Sequence, residues 1–205
     1  MSYTIEPTTP EGARVVAAAN ELIESFRARA DAADRASEIC RENYADMQNA
    51  GITAAFVPEE LGGVGMRSMH DWNLTISTLA KGDGSAAIAI SMHLSATRGL
   101  AALYRASEPN SGPHARAKRI LEAIARKEML ICSTTTERGT DNLHPLSEAT
   151  ACQDGWRLNG TKNFVTMSPL ATHVATNVRM RDDDGDYIAN VLMAMDTKGI
   201  HQLGD

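Results

Sequence analysis

The chain changes its apolar rhythm near residue 128, and that change bounds the folds open to it. Ahead of it, apolar residues recur roughly every three to four positions, the period of a helix with one buried face. Beyond it, short β-branched runs alternate with crowded turn residues, which is the pattern of strands. Helices first and strands afterwards argue for an α+β arrangement, with domains at residues 1–128 and 129–205, and against alternating βαβ units. A chain of 205 residues has room for such a pair.

A first helix is expected from Thr9, with Pro10 at its first position and Glu11 in its first turn. Val15, Ala19, Leu22, Ile23 and Phe26 fall on one face of it. A second helix spans Ser37 to Ala50, with Gly51 as a left-handed cap. Ile52 to Val57 is a short apolar segment, and Gly62, Gly63 and Gly65 make an irregular turn. A third helix covers Met69 to Lys81 and stops at Gly82. Ser85 reads as the N-cap of a fourth helix reaching Arg105. The Ala86–Ile90 opening of that helix is apolar on all sides and belongs at the centre of a bundle. A fifth starts at Pro113, with Ile120, Leu121 and Ile124 buried. Met129 to Thr136 is a β-branched run. Asp154-Gly155 lies between Glu148–Gln153 and Trp156–Asn159 as a hairpin turn. His173–Arg181 and Tyr187–Met195 form a second hairpin across an Asp-rich loop.

A net charge of -6 gives no electrostatic pull toward nucleic acid or an anionic membrane. The local basic group Arg116, Lys118, Arg119, Arg126 and Lys127 reads as a solvated helix face. Cys40, Cys132 and Cys152 sit far apart, and the histidines lack ligand spacing, so neither a disulfide framework nor a metal site is expected. The N-terminus shows no basic-then-apolar leader, and no apolar run reads as long enough for a membrane span, so a cytoplasmic protein is expected.

Gly63-Val-Gly65 lacks the third glycine of a dinucleotide fingerprint, and no Walker loop, GxSxG or HExxH occurs. What remains is Ile131-Cys-Ser-Thr-Thr-Thr-Glu-Arg-Gly-Thr-Asp141 followed by Leu158-Asn-Gly-Thr-Lys-Asn-Phe-Val-Thr166. Hydroxyls and amides at Ser133, Thr134 and Thr135 suit the hydrogen-bonding edge of a flat ring. Gly139 and Thr140 suit a phosphate, Phe164 the apolar face of the ring, and Thr166 a place beside its reactive nitrogen. By composition alone the plain reading is favoured, since a threonine-rich strand is usually just a β-strand.

The order of these motifs, with the helical-to-β switch between them, resembles the acyl-CoA dehydrogenase family of flavoenzymes over essentially the whole chain. Pro58-Glu-Glu-Leu-Gly-Gly-Val-Gly65 is similar to the loop after that family's second helix. Residues 130–141 resemble its strand and turn ending Thr-Glu-Pro-x-Ala-Gly-Ser-Asp. Asn159-Gly-Thr-Lys162 with Phe164 and Thr166 resembles its Asn-Gly-x-Lys-x-aromatic segment. Thr135 and Thr136 stand in place of the Glu-Pro pair, Arg138 in place of a small residue, and Ile131 where an aromatic is common.

The resemblance implies an N-terminal α-helical bundle domain followed by an antiparallel β domain, incomplete at Asp205. It implies FAD as cofactor, contacted by Ser133, Thr134, Gly139, Thr140, Phe164 and Thr166, with Thr140 and His93 beside the substrate. The implied reaction is α,β-dehydrogenation of an acyl-CoA thioester in fatty acid metabolism, with hydride passing to the flavin. Electron-transfer flavoprotein or another acceptor would take the electrons. The carboxylate base belongs to a C-terminal helical domain, so no catalytic residue is assigned in this chain, and alone it is expected to show no turnover. A homo-oligomer or a complementing C-terminal polypeptide is the expected protein partner. His93 admits two readings, a hydrogen-bonded structural residue or a residue near the flavin as in flavin-dependent monooxygenases of the same fold. Such a monooxygenase, or a non-catalytic subunit, is the alternative function.

Overall fold

The computed structural model describes residues 5–153 and 155–203. It divides into two compact units, Met1–Leu130 and Ile131–Asp205.

In the first unit, helix α1 is Pro10–Ala36, and the Thr9 hydroxyl accepts from Gly12 N–H at 3.0 Å to cap it. Ser37, expected to open α2, instead closes α1. Its backbone is left-handed (φ 53), and it donates to the Ala33 and Asp34 carbonyls. Serine serves either helix end, and here the unpaired carbonyls of α1 claim it. Helix α2 is therefore the shorter Arg41–Asn49, followed by left-handed Gly51 (φ 75) and a buried 3-10 turn at Ile52–Ala54.

The glycine-rich motif then folds back on that turn. Val64, Gly65 and Met66 donate backbone N–H groups to Ala54, Val57 and Ala55. A Cβ on Gly63 would sit 2.2 Å from the Val57 carbonyl oxygen, so only glycine allows the approach.

Helix α3 is Met69–Ala80, with Ser68 as its cap. Its buried Asp71 accepts from the backbone N–H and hydroxyl of both Thr8 and Thr9, which fastens the segment entering α1. Helix α4 is Gly84–Ala106, and its cap is Asp83 rather than Ser85. The Asp83 carboxylate accepts from Ala86 N–H at 3.0 Å and from Asn43 of α2 at 2.9 Å, and that second bond fixes the choice. Ala86, Ala87, Ala89 and Ile90 are buried while Ile88 is exposed, so the opening of α4 keeps one solvent face.

Contrary to the sequence reading, α4 is long and apolar enough to cross a membrane by length and composition. Here it packs on α3 and, once the chain turns back, on α5 (Gly112–Ala125), with His93 and Thr97 buried in it. In α5 the buried stripe is Ala117, Leu121 and Ile124, and Ile120 is only half-buried. The five basic side chains from Arg116 to Lys127 are all exposed, as a solvated face requires.

The second unit holds β1 (Ile131–Thr134), β2 (Glu148–Cys152), β3 (Gly155–Asn159), β4 (His173–Asp182) and β5 (Gly185–Ala194). Both expected hairpins form: β2 with β3, and β4 with β5 from His173 opposite Ala194 to Asp182 opposite Gly185. Asp154 of the first turn lies outside the described residues. The sheet is mixed rather than purely antiparallel. β1 runs parallel to β4, from Ile131 opposite His173 to Thr134 opposite Thr176, and β2 meets β4 in parallel at Glu148 and Arg179. Parallel neighbours need a long connection between them. Residues 135–172 provide it, and these connections carry the candidate site. The apolar side of the sheet is Ala149, Val178 and Met180, flanked by Leu158, Ala189 and Val191.

Gly63→Ala is expected to destabilise the helical unit by about 2 kcal/mol or more, because the added methyl meets backbone rather than a movable side chain. A fall in the melting temperature of the circular dichroism signal checks this. A variant as stable as the parent contradicts the packing described for the loop.

Candidate functional site

The end of β1 and the segment after β3 are tied together by two hydrogen bonds. The Thr134 hydroxyl donates to Asn163 O at 2.6 Å and Asn163 N–H donates to Thr136 O at 2.9 Å, while Thr136 N–H reaches Thr134 Oγ1 at 3.4 Å within the first segment. The structure thus brings the residues around 134 and 164 side by side. It also changes the part Thr134 plays, since its proton is committed to Asn163 and is not free for a ligand. Ser133 and Thr135, two apart and so on one side of the extended chain, are half-exposed. Among the described residues, neither hydroxyl has a partner.

Phe164 is 82% exposed and sits in the left-handed region at φ 54. A bulky side chain there stores strain of order 1 kcal/mol or more, held by the bonds on either side. An exposed aromatic ring is the largest apolar face this edge offers. Thr166 stands beside it, its hydroxyl 3.5 Å from Phe164 O.

Beyond β1, Gly139 is left-handed (φ 87), with open space where a Cβ would stand. That leaves its backbone approachable by a ligand. Thr140 is less free than the sequence suggested, because its hydroxyl donates to His144 O at 2.6 Å. Asp141 holds His144 Nδ1 at 2.9 Å and accepts from Leu143 N–H, and the imidazole draws its carboxyl below the usual range. Arg138 is exposed, with no carboxylate against it among the described residues.

The feature least legible in the sequence is Glu137. It is buried, and it accepts from Lys162 Nζ at 2.5 Å, from Leu146 N–H at 2.6 Å and from Ser147 N–H at 3.1 Å. Lys162 also donates to Asn177 of β4 at 2.8 Å, and Asn177 donates in turn to Asn142 O. Burial alone would push the Glu137 carboxyl up. The donors on Lys162, Ser147 and Leu146 outweigh it and hold the carboxyl down to about 2. The two partners lie 25 residues apart in sequence, and no local pattern announces a pair at that distance.

His93 belongs elsewhere. It is fully buried in α4, with Nε2 3.0 Å from Thr53 O and Thr97 close by. The contact with Thr53 O is of the kind the hydrogen-bonded structural reading expects. Among the described residues, no group of three or more His, Cys, Asp or Glu could hold a metal.

Residues 9–128 match the family model for acyl-CoA dehydrogenase, N-terminal domain. The chain is 32% identical over 200 residues to L-evernosamine nitrososynthase of Micromonospora sp., covering 96% of this chain and 46% of that protein. It is 30% identical over 203 residues to the amino sugar nitrososynthase DnmZ of Streptomyces peucetius, covering 97% and 48%. Among solved structures, KijD3 in complex with FMN and dTDP-3-amino-2,3,6-trideoxy-4-keto-3-methyl-D-glucose superposes with a TM-score of 0.83 at 26% identity, over 94% of this chain and 46% of that one. The chain spans about half the length of the curated relatives it matches.

Glu137 supplies a pH signature. Its depressed folded-state pKa adds stability that is complete above the unfolded carboxyl range and is lost as pH falls from about 4.5 toward about 2. Melting temperature followed down that window should drop more steeply for the parent than for Glu137→Gln. Parallel curves would show that this carboxyl does not carry the acid sensitivity.

Proposed function

The chain belongs to the acyl-CoA dehydrogenase family, and from that we propose that it forms the flavin-holding part of an oxygen-using flavoenzyme that oxidises the amino group of a nucleotide-linked sugar. Likeness to nitrososynthases over nearly the whole chain supports the substrate class. The structural observation that carries the flavin reading is Phe164, a strained and exposed ring held beside uncommitted hydroxyls. This combination fits a tricyclic ring that stacks on one face and hydrogen-bonds along one edge.

Ser133 and Thr135 would supply donors to that edge, and Thr166 would stand near the redox-active nitrogen. Gly139 would let a phosphate approach the backbone, and Arg138 is free to pair with it. FAD is what the family likeness implies, whereas the KijD3 complex holds FMN. The groups present fit the ring and phosphate that both share. A bound, reduced flavin supplies the two electrons that, with two protons, turn an amine and dioxygen into a hydroxylamine and water. The residues of this chain would hold the ring flat, keep its edge hydrogen-bonded and fix the phosphate.

The acyl-CoA reading has less support from the relatives: benzylmalonyl-CoA dehydrogenase of Aromatoleum aromaticum matches at 26% identity over 88% of the chain, against 32% over 96% for L-evernosamine nitrososynthase. Both carboxylates beside Gly139 are engaged, Glu137 by Lys162 and Asp141 by His144, and neither is assigned as a base.

Titration of FMN and of FAD into the protein, followed by absorbance and flavin fluorescence, tests the cofactor. Phe164→Ala is expected to weaken binding about fivefold to tenfold, the worth of one aromatic stacking contact. Aerobic mixing of the reduced-flavin complex with a nucleotide amino sugar should give an N-oxygenated product. Anaerobic bleaching of bound flavin by an acyl-CoA would overturn the amine reading in favour of dehydrogenation.

A further inference from the structure

We propose that Glu137 and Lys162 are positioning residues that lock the two flavin-facing segments, residues 133–147 and 160–166, at one fixed spacing. The inference rests on the flavin reading and extends it to two side chains that are nearly closed off from solvent.

The two segments are separate stretches of chain on either side of the β2–β3 hairpin. On one, Glu137 lies two residues before Gly139, and its carboxylate gathers Leu146 N–H and Ser147 N–H. That closes residues 138–146 into a loop whose mouth is a single carboxylate. On the other, Lys162 lies two residues before Phe164, and its ammonium is the group that bridges Glu137 to Asn177 of β4. The pair therefore links the phosphate-side turn, the stacking residue and the central strand through one charge contact.

Side-chain exposure is 12% for Lys162 and 3% for Glu137, so water does little to loosen the contact. The family-type Glu-Pro positions are occupied here by Thr135 and Thr136, and the acid stands two residues further along. Gly160 adds a second constraint. Its φ is 158, and a Cβ there would sit 2.0 Å from Ser147 Oγ, so the backbone of one segment lies against the end of the other loop.

The test compares Glu137→Gln, Lys162→Met and the conservative Lys162→Arg with Val178→Ala, which trims the apolar side of the sheet away from the pair. Two readouts are taken at a temperature where every variant remains folded. The first is amide hydrogen exchange at Leu146, Ser147 and Asn163 without flavin. Removing either charge is expected to speed exchange at all three amides at least tenfold, on both segments together. Val178→Ala should leave the three in their parent ratio, and Lys162→Arg should restore most of the protection.

The second readout is the dissociation constant for FMN or FAD, expected to rise at least tenfold for Glu137→Gln and Lys162→Met and to stay near the parent value for Val178→Ala. Exchange that quickens at Leu146 and Ser147 but not at Asn163 would overturn the proposal. So would charge-removed variants that bind flavin as tightly as the parent. A parent protein that binds neither flavin would sink the functional reading instead, and the exchange measurement would still decide whether the pair couples the segments.

Discussion

The β unit depends on one buried ion pair, and its energetics explain why the surrounding loops take a single shape. Burying an isolated carboxylate costs several kcal/mol, and one counter-charge seldom offsets that unless the remaining lone pairs are also bonded. Glu137 meets that condition with Lys162 and two backbone N–H groups. Loop 138–147 buries Pro145 but exposes Leu143 and Leu146, so its apolar anchorage is small. Its order comes from polar bonds converging on one acid, with Asn177 holding Asn142 and Thr140 holding His144. A loop built this way can leave its outer face free for a ligand, because its shape does not rely on burying that face.

The helical unit uses the same device. Aromatic residues make up only 4% of the chain, so its core is assembled largely from alanine, methionine and medium aliphatics. Such side chains fill space well but specify direction weakly. Direction comes from buried polar groups. Asp71 fastens the entry of α1 to α3 through Thr8 and Thr9. Asn43 joins α2 to the Asp83 cap of α4 and accepts from Arg29 of α1, whose other arm pairs with Asp46. Each contact joins one element to another, and each is satisfied on both sides, as a buried polar network must be to favour one structure.

This division explains what could be read from the residues alone. Apolar periodicity and turn chemistry are local, so α1, α3, α5 and both hairpins fall where their patterns indicate. Two ends fall elsewhere: Ser37 closes α1 through its backbone N–H in the left-handed region, and Ser85 lies inside α4 because Asp83 takes the cap. The Asp83 carboxylate is also held by Asn43 of α2, a partner no local pattern reveals. The parallel pairing of β1 and β2 with β4 leaves no local mark, because it depends on where residues 135–172 carry the chain. At the candidate site, the chemistry of Phe164 and Gly139 is visible from residue type. That Thr134 and Thr140 have committed their protons internally is not, since each partner is a backbone carbonyl.

Under the proposed flavin reading, the edge formed around Ser133, Phe164 and Gly139 would serve desaturation of a thioester or oxygenation of an amine alike, because both ask for a flat ring held at its edge and its phosphate. The difference lies in what the substrate must lose. A carbon α to a thioester gives up its proton only to a well-placed base, whereas an amine presents its own lone pair. Glu137 is committed at about 2 to Lys162, and Asp141 is bound to His144. Acids engaged in this way hold the loops that carry them. On the proposal made above, what these acids would contribute to the chemistry is a fixed spacing between the two segments.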